Sequence, residues 1–204
     1  PPLLPLRLQT LAQLSMKLLT RLEIARADVL GMSWGGLLAQ EFAHQQPDHC
    51  RRLVLAATSP GTIMVPGRVS VMFALASPLR FLDADYLRRN AGELYGGRLR
   101  SDPALVDEYL ALARPPKTPL GYYWQLYASA GWTSIHWLHT LRQQTLILAG
   151  RADPLLPLEN ARLLQLHIPD SRLVELDDGH LFLFGLREKV SQLIKDFLIA
   201  DDPP

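Results

Sequence analysis

The run Gly31-Met32-Ser33-Trp34-Gly35-Gly36 follows a short apolar stretch, Asp28-Val29-Leu30, and opens a helix-like segment from Leu37 to His44. Set between a strand and a helix, G-x-S-x-G specifies a nucleophile elbow, a strained turn that holds a serine hydroxyl exposed above a sheet. Ser33 is therefore the candidate nucleophile. Glycines flank it because a side chain at Gly31 or Gly35 is expected to collide with neighbouring backbone in so sharp a turn. The same three fixed positions also arise by chance, with an ordinary serine in a glycine-rich turn, so the motif gains its weight from the rest of the chain.

The surrounding pattern is one of alternating strands and helices. Leu11, Leu14, Leu18 and Leu22 recur at spacings of three and four and predict one face of an amphipathic helix that starts near Leu8 and ends before Ala27. After the elbow helix, Pro47-Asp48 breaks the pattern. Three short apolar runs, Arg52–Ala57, Thr145–Ala149 and Arg172–Leu176, suit buried parallel strands. A helical stretch, Leu158–Leu166, separates the last two, and Leu186, Val190, Leu193, Ile194 and Phe197 close the chain at helical spacing. Fold class is therefore α/β, with a mostly parallel sheet covered on both sides.

Residues 61–140 interrupt this rhythm without a convincing buried strand, and they hold all six tyrosines, three of the four tryptophans and two of the six phenylalanines. They read as a helical lid or substrate insertion over the C-terminal edge of the sheet, where open α/β folds bind ligands. The chain divides into a core part with the elbow (1–60), the insertion (61–140) and a second core part (141–204). A helical packing layer with aromatics in its own core is the alternative for the middle part.

Composition bounds the function. With 204 residues and 48% hydrophobic content, the chain can bury a sizeable core. A formal net charge of +1 without a dense basic run gives no support to nucleic acid or an anionic membrane surface as a partner. Cys50 is the only cysteine, which excludes an internal disulfide, and burial as a small hydrophobe is expected of it. No 18-residue apolar run predicts a transmembrane segment and the start lacks a signal-peptide pattern, so a cytoplasmic protein is the default expectation. A start on prolines without methionine suggests a piece of a longer polypeptide.

A serine hydroxyl needs a base within hydrogen-bond reach and a third group to orient that base. In the hydrolase arrangement the order along the chain is serine, acid, histidine. Asp153 lies four residues beyond the strand ending at Ala149, in Gly150-Arg151-Ala152-Asp153-Pro154, a loop with turn chemistry at the right edge of the sheet. Thr58 to Pro66, the other loop where an acid could stand, contains no carboxylate. His180 follows the last strand through Asp177-Asp178-Gly179 and is the candidate base. Asp177 and Asp178 are expected to form the turn, because orienting the far ring nitrogen calls for a carboxylate from another loop. His44 and His49 flank the far end of the elbow helix and His167 lies in a helix-to-strand connection. His136 and His139 are spaced as two metal ligands could be, but no third ligand is evident and no metal is expected.

With these residues placed, the sequence resembles the α/β-hydrolases and, more narrowly, the intracellular medium-chain-length polyhydroxyalkanoate depolymerases. The resemblance is carried by Gly31–Gly36, Leu53–Thr58, Val65-Pro66-Gly67, Gly121–Leu126, Gly131–His139 and Asp177–Leu183, and it runs over nearly the whole chain. It implies hydrolysis of ester links in a stored bacterial polyester of 3-hydroxy fatty acids, at the surface of cytoplasmic granules and without a cofactor. It also implies that the backbone N–H of Trp34 meets the developing oxyanion together with a second N–H from a loop nearer the N-terminus. That second donor and the upstream strands are missing from this chain, an absence expected to lower turnover about 100-fold to 1,000-fold. With one sheet edge unpaired, this piece is also expected to be poorly soluble alone. Another esterase, lipase or thioesterase of the same fold, or an inactive polyester-binding fragment, remains an alternative.

Overall fold

A computed structural model describes residues 4–77, 79, 83–112 and 120–200. Pro1 to Leu3 and residues 78, 80–82 and 113–119 of the expected insertion lie outside the described residues, as do residues 201–204. Four strands form one parallel sheet in the order β1 (Ala27–Met32), β2 (Cys50–Ala56), β3 (Gln144–Gly150) and β4 (Ser171–Leu176). Helix α1 (Leu8–Arg21) precedes β1, α2 (Trp34–Gln45) joins β1 to β2, and α7 (Leu158–His167) joins β3 to β4. A short helix α8 (Phe182–Gly185) and the closing helix α9 (Arg187–Ile199) follow. No helix among the described residues is long and apolar enough to cross a membrane.

The central strands are apolar on both faces because both faces are covered. Leu53 and Leu55 of β2 and Ile147 and Ala149 of β3 pack with Ala12, Phe42 and Leu164 from α1, α2 and α7. Their alternating neighbours Val54, Ala56, Leu146 and Leu148 pack on the opposite face with Phe182 and Val190. Each fully buried leucine contributes about 1.5–3 kcal/mol. Arg52, fully buried, donates from its guanidinium to the carbonyls of Phe197 (2.6 Å) and Ala200 (2.5 Å), so a strand of the sheet satisfies the carbonyls that α9 leaves unpaired at its end.

Helix α1 departs from the sequence expectation. Its buried residues are Leu8 and Ala12, with Met16 and Leu19 packed beside them, whereas Leu14, Leu18 and Leu22 of the expected core face are 44%, 56% and 57% exposed. Apolar spacing reports that a helix is amphipathic, and this one is apolar on two sides. The side that is buried packs on α2.

Helices α3 (Val69–Ala76), α4 (Ala84–Tyr95), α5 (Pro103–Leu112) and α6 (Leu120–Ser129) fill the stretch between β2 and β3. Asp83 caps α4 by accepting from the backbone N–H groups of Asp85 (2.9 Å) and Tyr86 (3.0 Å). Helices α3, α4 and α5 share a core of Val71, Leu87, Ala91, Leu94, Leu105 and Val106, which Leu155 joins from the loop after β3 and Leu181 and Phe184 join from beyond β4. At the base, Thr62 N–H donates to Trp132 O (2.8 Å) and Ser134 N–H to Pro60 O (2.9 Å), around a bridge between Gly61 and Thr133.

Candidate active site

Ser33 stands between β1 and α2 with φ +53° and ψ −121°, a backbone conformation that costs a non-glycine residue about 1–3 kcal/mol. The turn is held by its surroundings. Ser33 N–H donates to Ala56 O (2.9 Å), and its carbonyl accepts from Gly36 N–H (2.9 Å) and the Thr58 hydroxyl (2.8 Å). A Cβ on Gly31 would collide with the Gly35 carbonyl and stand 2.7 Å from Ala39 Cβ. The expectation for Gly35 is corrected: a Cβ there meets nothing within 4 Å, because Gly35 already belongs to the first turn of α2 and faces open space. Gly36 is the second crowded position, where a Cβ would overlap Thr58. Sequence reasoning missed Thr58, whose signal is its place directly beyond the strand that neighbours β1.

Asp153 follows β3. Its Oδ1 accepts from the backbone N–H groups of Leu155 (2.9 Å) and Leu156 (3.0 Å), which leaves Oδ2 pointing to His180. His180 follows β4; its backbone N–H donates to Tyr95 O (2.7 Å), and its ring lies nearly parallel to that of Tyr95 at 6.3 Å. The structure brings the three side chains together: His180 Nδ1 is 2.7 Å from Asp153 Oδ2, and His180 Nε2 is 3.1 Å from Ser33 Oγ. A carboxylate can only accept, so Nδ1 carries the ring proton and Nε2 presents its lone pair to the serine hydroxyl. The side chains of Asp153 and His180 are 1% and 6% exposed, which keeps water from competing for that contact.

Asp177 and Asp178 differ in placement. Asp177 is paired with Arg151 in the acid loop (2.8 Å), and Glu175 joins the same cluster through Arg151 and Arg162. Hydrogen bonds from Glu175, then Asp177, hold the Arg151 guanidinium above its ordinary range, and Arg162, then Arg151, hold the Glu175 carboxyl below its own. Asp178 is buried and accepts from Gly179 N–H and Arg98 N–H. Sequence alone could not separate these neighbours, since they are the same residue type on one turn. The other histidines are engaged elsewhere or exposed: His44 stacks on Trp137, His49 and His167 face the carbonyls of Ala25 and Leu163, and His136 and His139 are exposed. Among the described residues no group of three His, Cys, Asp or Glu could hold a metal ion.

Ser33 and His180 open into a cavity of about 260 Å³ walled by Met64, Met72, Leu75, Leu126, Leu155 and Leu156. Trp34, the first residue of α2, has no intrahelical acceptor for its backbone N–H. Its indole N–H donates to Gln125 O (2.8 Å), which ties the elbow to α6. A larger cavity of about 480 Å³, lined by Arg68, Arg88, Arg89 and Arg100, contains none of Ser33, Asp153 or His180. Chemistry and not volume marks the site.

A serine, a carboxylate and an imidazole, in that order along the chain and together on the loops of a parallel sheet, form the arrangement of an α/β-hydrolase site. The model of the α/β-hydrolase fold matches residues 8–185, and the chain belongs to that family. It is 48% identical to a poly(3-hydroxyalkanoate) depolymerase from Ectopseudomonas oleovorans, over 95% of this chain and 68% of that protein. It is 32% identical to a pimeloyl-[acyl-carrier protein] methyl ester esterase from Aromatoleum aromaticum, over 83% of this chain and 73% of that one. Among solved structures, a hydrolase from Pseudomonas aeruginosa superposes with a TM-score of 0.76 at 25% identity, covering 98% of this chain and 74% of its own.

Proposed function

We propose that the chain is a serine hydrolase of carboxylic esters that cleaves medium-chain-length poly(3-hydroxyalkanoate). The observation that carries this reading is the position of the His180 ring, bonded to Asp153 on one side and to Ser33 on the other, at the wall of an apolar cavity. Ser33 Oγ attacks the ester carbonyl while His180 Nε2 takes its proton. The Trp34 N–H stabilises the oxyanion. His180 then passes the proton to the departing alkoxide, Asp153 holds the imidazolium, and water repeats the cycle on the acyl-enzyme.

Two features support the polyester as substrate. One is the 48% identity to the depolymerase. The other is the cavity wall, where burial of alkyl groups contributes about 0.8 kcal/mol per methylene. Contact with a granule surface is the finer part of the proposal. Val69 and Phe73 are 70% and 75% exposed on α3, the helix whose Met72 lines the cavity, and Tyr123 and Tyr127 are exposed on α6 beside Leu126. A soluble acyl ester is the second reading, favoured by the methyl ester esterase relative.

The test has two arms. Fluorophosphonate should label the wild type and not Ser33→Ala; absence of wild-type labelling sinks the hydrolase reading. Release of 3-hydroxy acids from emulsified polymer, measured beside turnover of 4-nitrophenyl esters of rising chain length, separates the substrates, and ester turnover without polymer release favours the soluble ester.

A further inference from the structure

Asp178 lies two residues before His180 and is 3% exposed. Its Oδ1 accepts from Gly179 N–H (2.7 Å), in its own loop, and from Arg98 N–H (2.8 Å), in the 3-10 turn Gly97–Arg100 of the insertion. Its Oδ2 is buried without a hydrogen-bond partner among the described residues. Leaving a carboxylate oxygen so is unfavourable, and a plain turn does not require it.

Three pieces of the molecule meet at this residue. Its backbone carbonyl accepts from Ala152 N–H (3.0 Å), next to Asp153. Its side chain holds the insertion through Arg98 N–H, and two residues further on His180 N–H donates to Tyr95 O (2.7 Å). Gly97 makes the approach possible: it has φ +54°, and a Cβ there would fall on Asp178 Oδ1 and Gly179 N.

We propose that Asp178 is a positioning residue for His180. Its carboxylate fastens the histidine loop to the insertion turn, and that fastening sets where Nε2 meets Ser33 Oγ. The proposal rests on the reading of Ser33 and His180 as nucleophile and base. Displacement of a reacting group by about 1 Å can cost about 100-fold in rate, so the tie acts on turnover and not on ester binding.

The experiment uses a soluble 4-nitrophenyl ester and the whole chain, with folding followed by circular dichroism. Asp178→Ala should lower kcat by about 10-fold to 100-fold and leave KM within about 2-fold. Asp178→Asn, which keeps an acceptor oxygen, should restore kcat to within about 3-fold of wild type, since the tie is then intact. Gly97→Ala should reproduce the loss, because its Cβ would fall on the Asp178 carboxylate and on Gly179 N beside it. A folded Asp178→Ala with wild-type kcat, or an Asn variant as slow as the Ala variant, overturns the proposal. If the Ala variant does not fold, the Asn variant decides alone: kcat near wild type sustains the tie, and a loss of about 10-fold or more, or about 1.4 kcal/mol, overturns it. His180→Ala is the control: wild-type turnover in that variant would remove the underlying reading instead.

Discussion

The Thr58 hydroxyl donates to the carbonyl of Ser33 at 2.8 Å, and it can do so because Gly36, one turn into α2, presents no side chain to Thr58. A methyl group on Gly36 would overlap that hydroxyl and stand 2.7 Å from Thr58 Cγ2, whereas one on Gly35 meets open space. Gly36→Ala is expected to destabilise the chain by about 1–3 kcal/mol through overpacking. Gly35→Ala, in the first turn of a helix, should be neutral or stabilise by up to about 1 kcal/mol. Urea unfolding of the two variants checks the order; equal midpoints would contradict it.

Asp153→Asn separates loop anchoring from proton handling. The remaining oxygen still accepts from Leu155 and Leu156 N–H, so the loop should keep its shape. The new amide presents N–H to His180 Nδ1, which places the ring proton on Nε2 and removes the lone pair that faces Ser33. Turnover should fall about 10,000-fold with the melting temperature little changed. Steady-state kinetics beside a thermal melt measures both.

Val69 and Phe73 are the most exposed apolar residues on the helix that borders the cavity. The double substitution Val69→Ser, Phe73→Ser removes apolar area from the surface without touching Ser33, Asp153 or His180. Release of 3-hydroxy acids from emulsified polymer should drop about 10-fold, the scale of one buried side chain, while kcat for a soluble ester stays within about 2-fold. Parallel loss of both activities would argue against a surface-contact role.

Cys50 reports on alkaline stability. It is fully buried at the start of β2, and burial, helped by the Asp28 carboxylate, pushes its thiol up to about 12 from 9.0. Between those values the unfolded chain gives up the proton and the folded chain retains it. Stability is therefore unaffected by this group below pH 9 and falls as pH rises, by about 1.4 kcal/mol per pH unit, up to the folded value. Cys50→Ala should remove that part of the slope when denaturant melts of the two proteins are compared from pH 8 to pH 11. Identical slopes would exclude the linkage.

Much of the frame is legible in the sequence because its signals are local. The apolar runs at Arg52–Ala57 and Thr145–Ala149 mark β2 and β3, since strands buried on both faces have no polar alternation to hide in. Asp153 and His180 stand out as the polar residues beyond the ends of such runs. What sequence does not disclose depends on contacts between distant segments. Leu14, Leu18 and Leu22 repeat as faithfully as any core stripe, yet Leu8, Ala12, Met16 and Leu19 occupy the buried side, a choice made by the position of α2. Asp178 is buried and Asp177 exposed because Gly97 admits the one carboxylate and Arg151 draws the other. Gly35 and Gly36 look alike until Thr58 is placed beside one of them.

The chain leaves the parallel strands after Pro60 and returns at Thr133 through a single doorway, where the outgoing and incoming segments are bonded to each other. Lengthening or trimming what lies beyond that threshold changes closure entropy only slightly, by about 0.6 kcal/mol for each doubling. Diversification of diet in descendants of this chain is therefore cheap at the doorway. It is restricted where the insertion is bonded to the core, and above all where Tyr95 and Arg98 grip the loop of His180. A transplanted cap from a cousin should work only if it brings that grip with it.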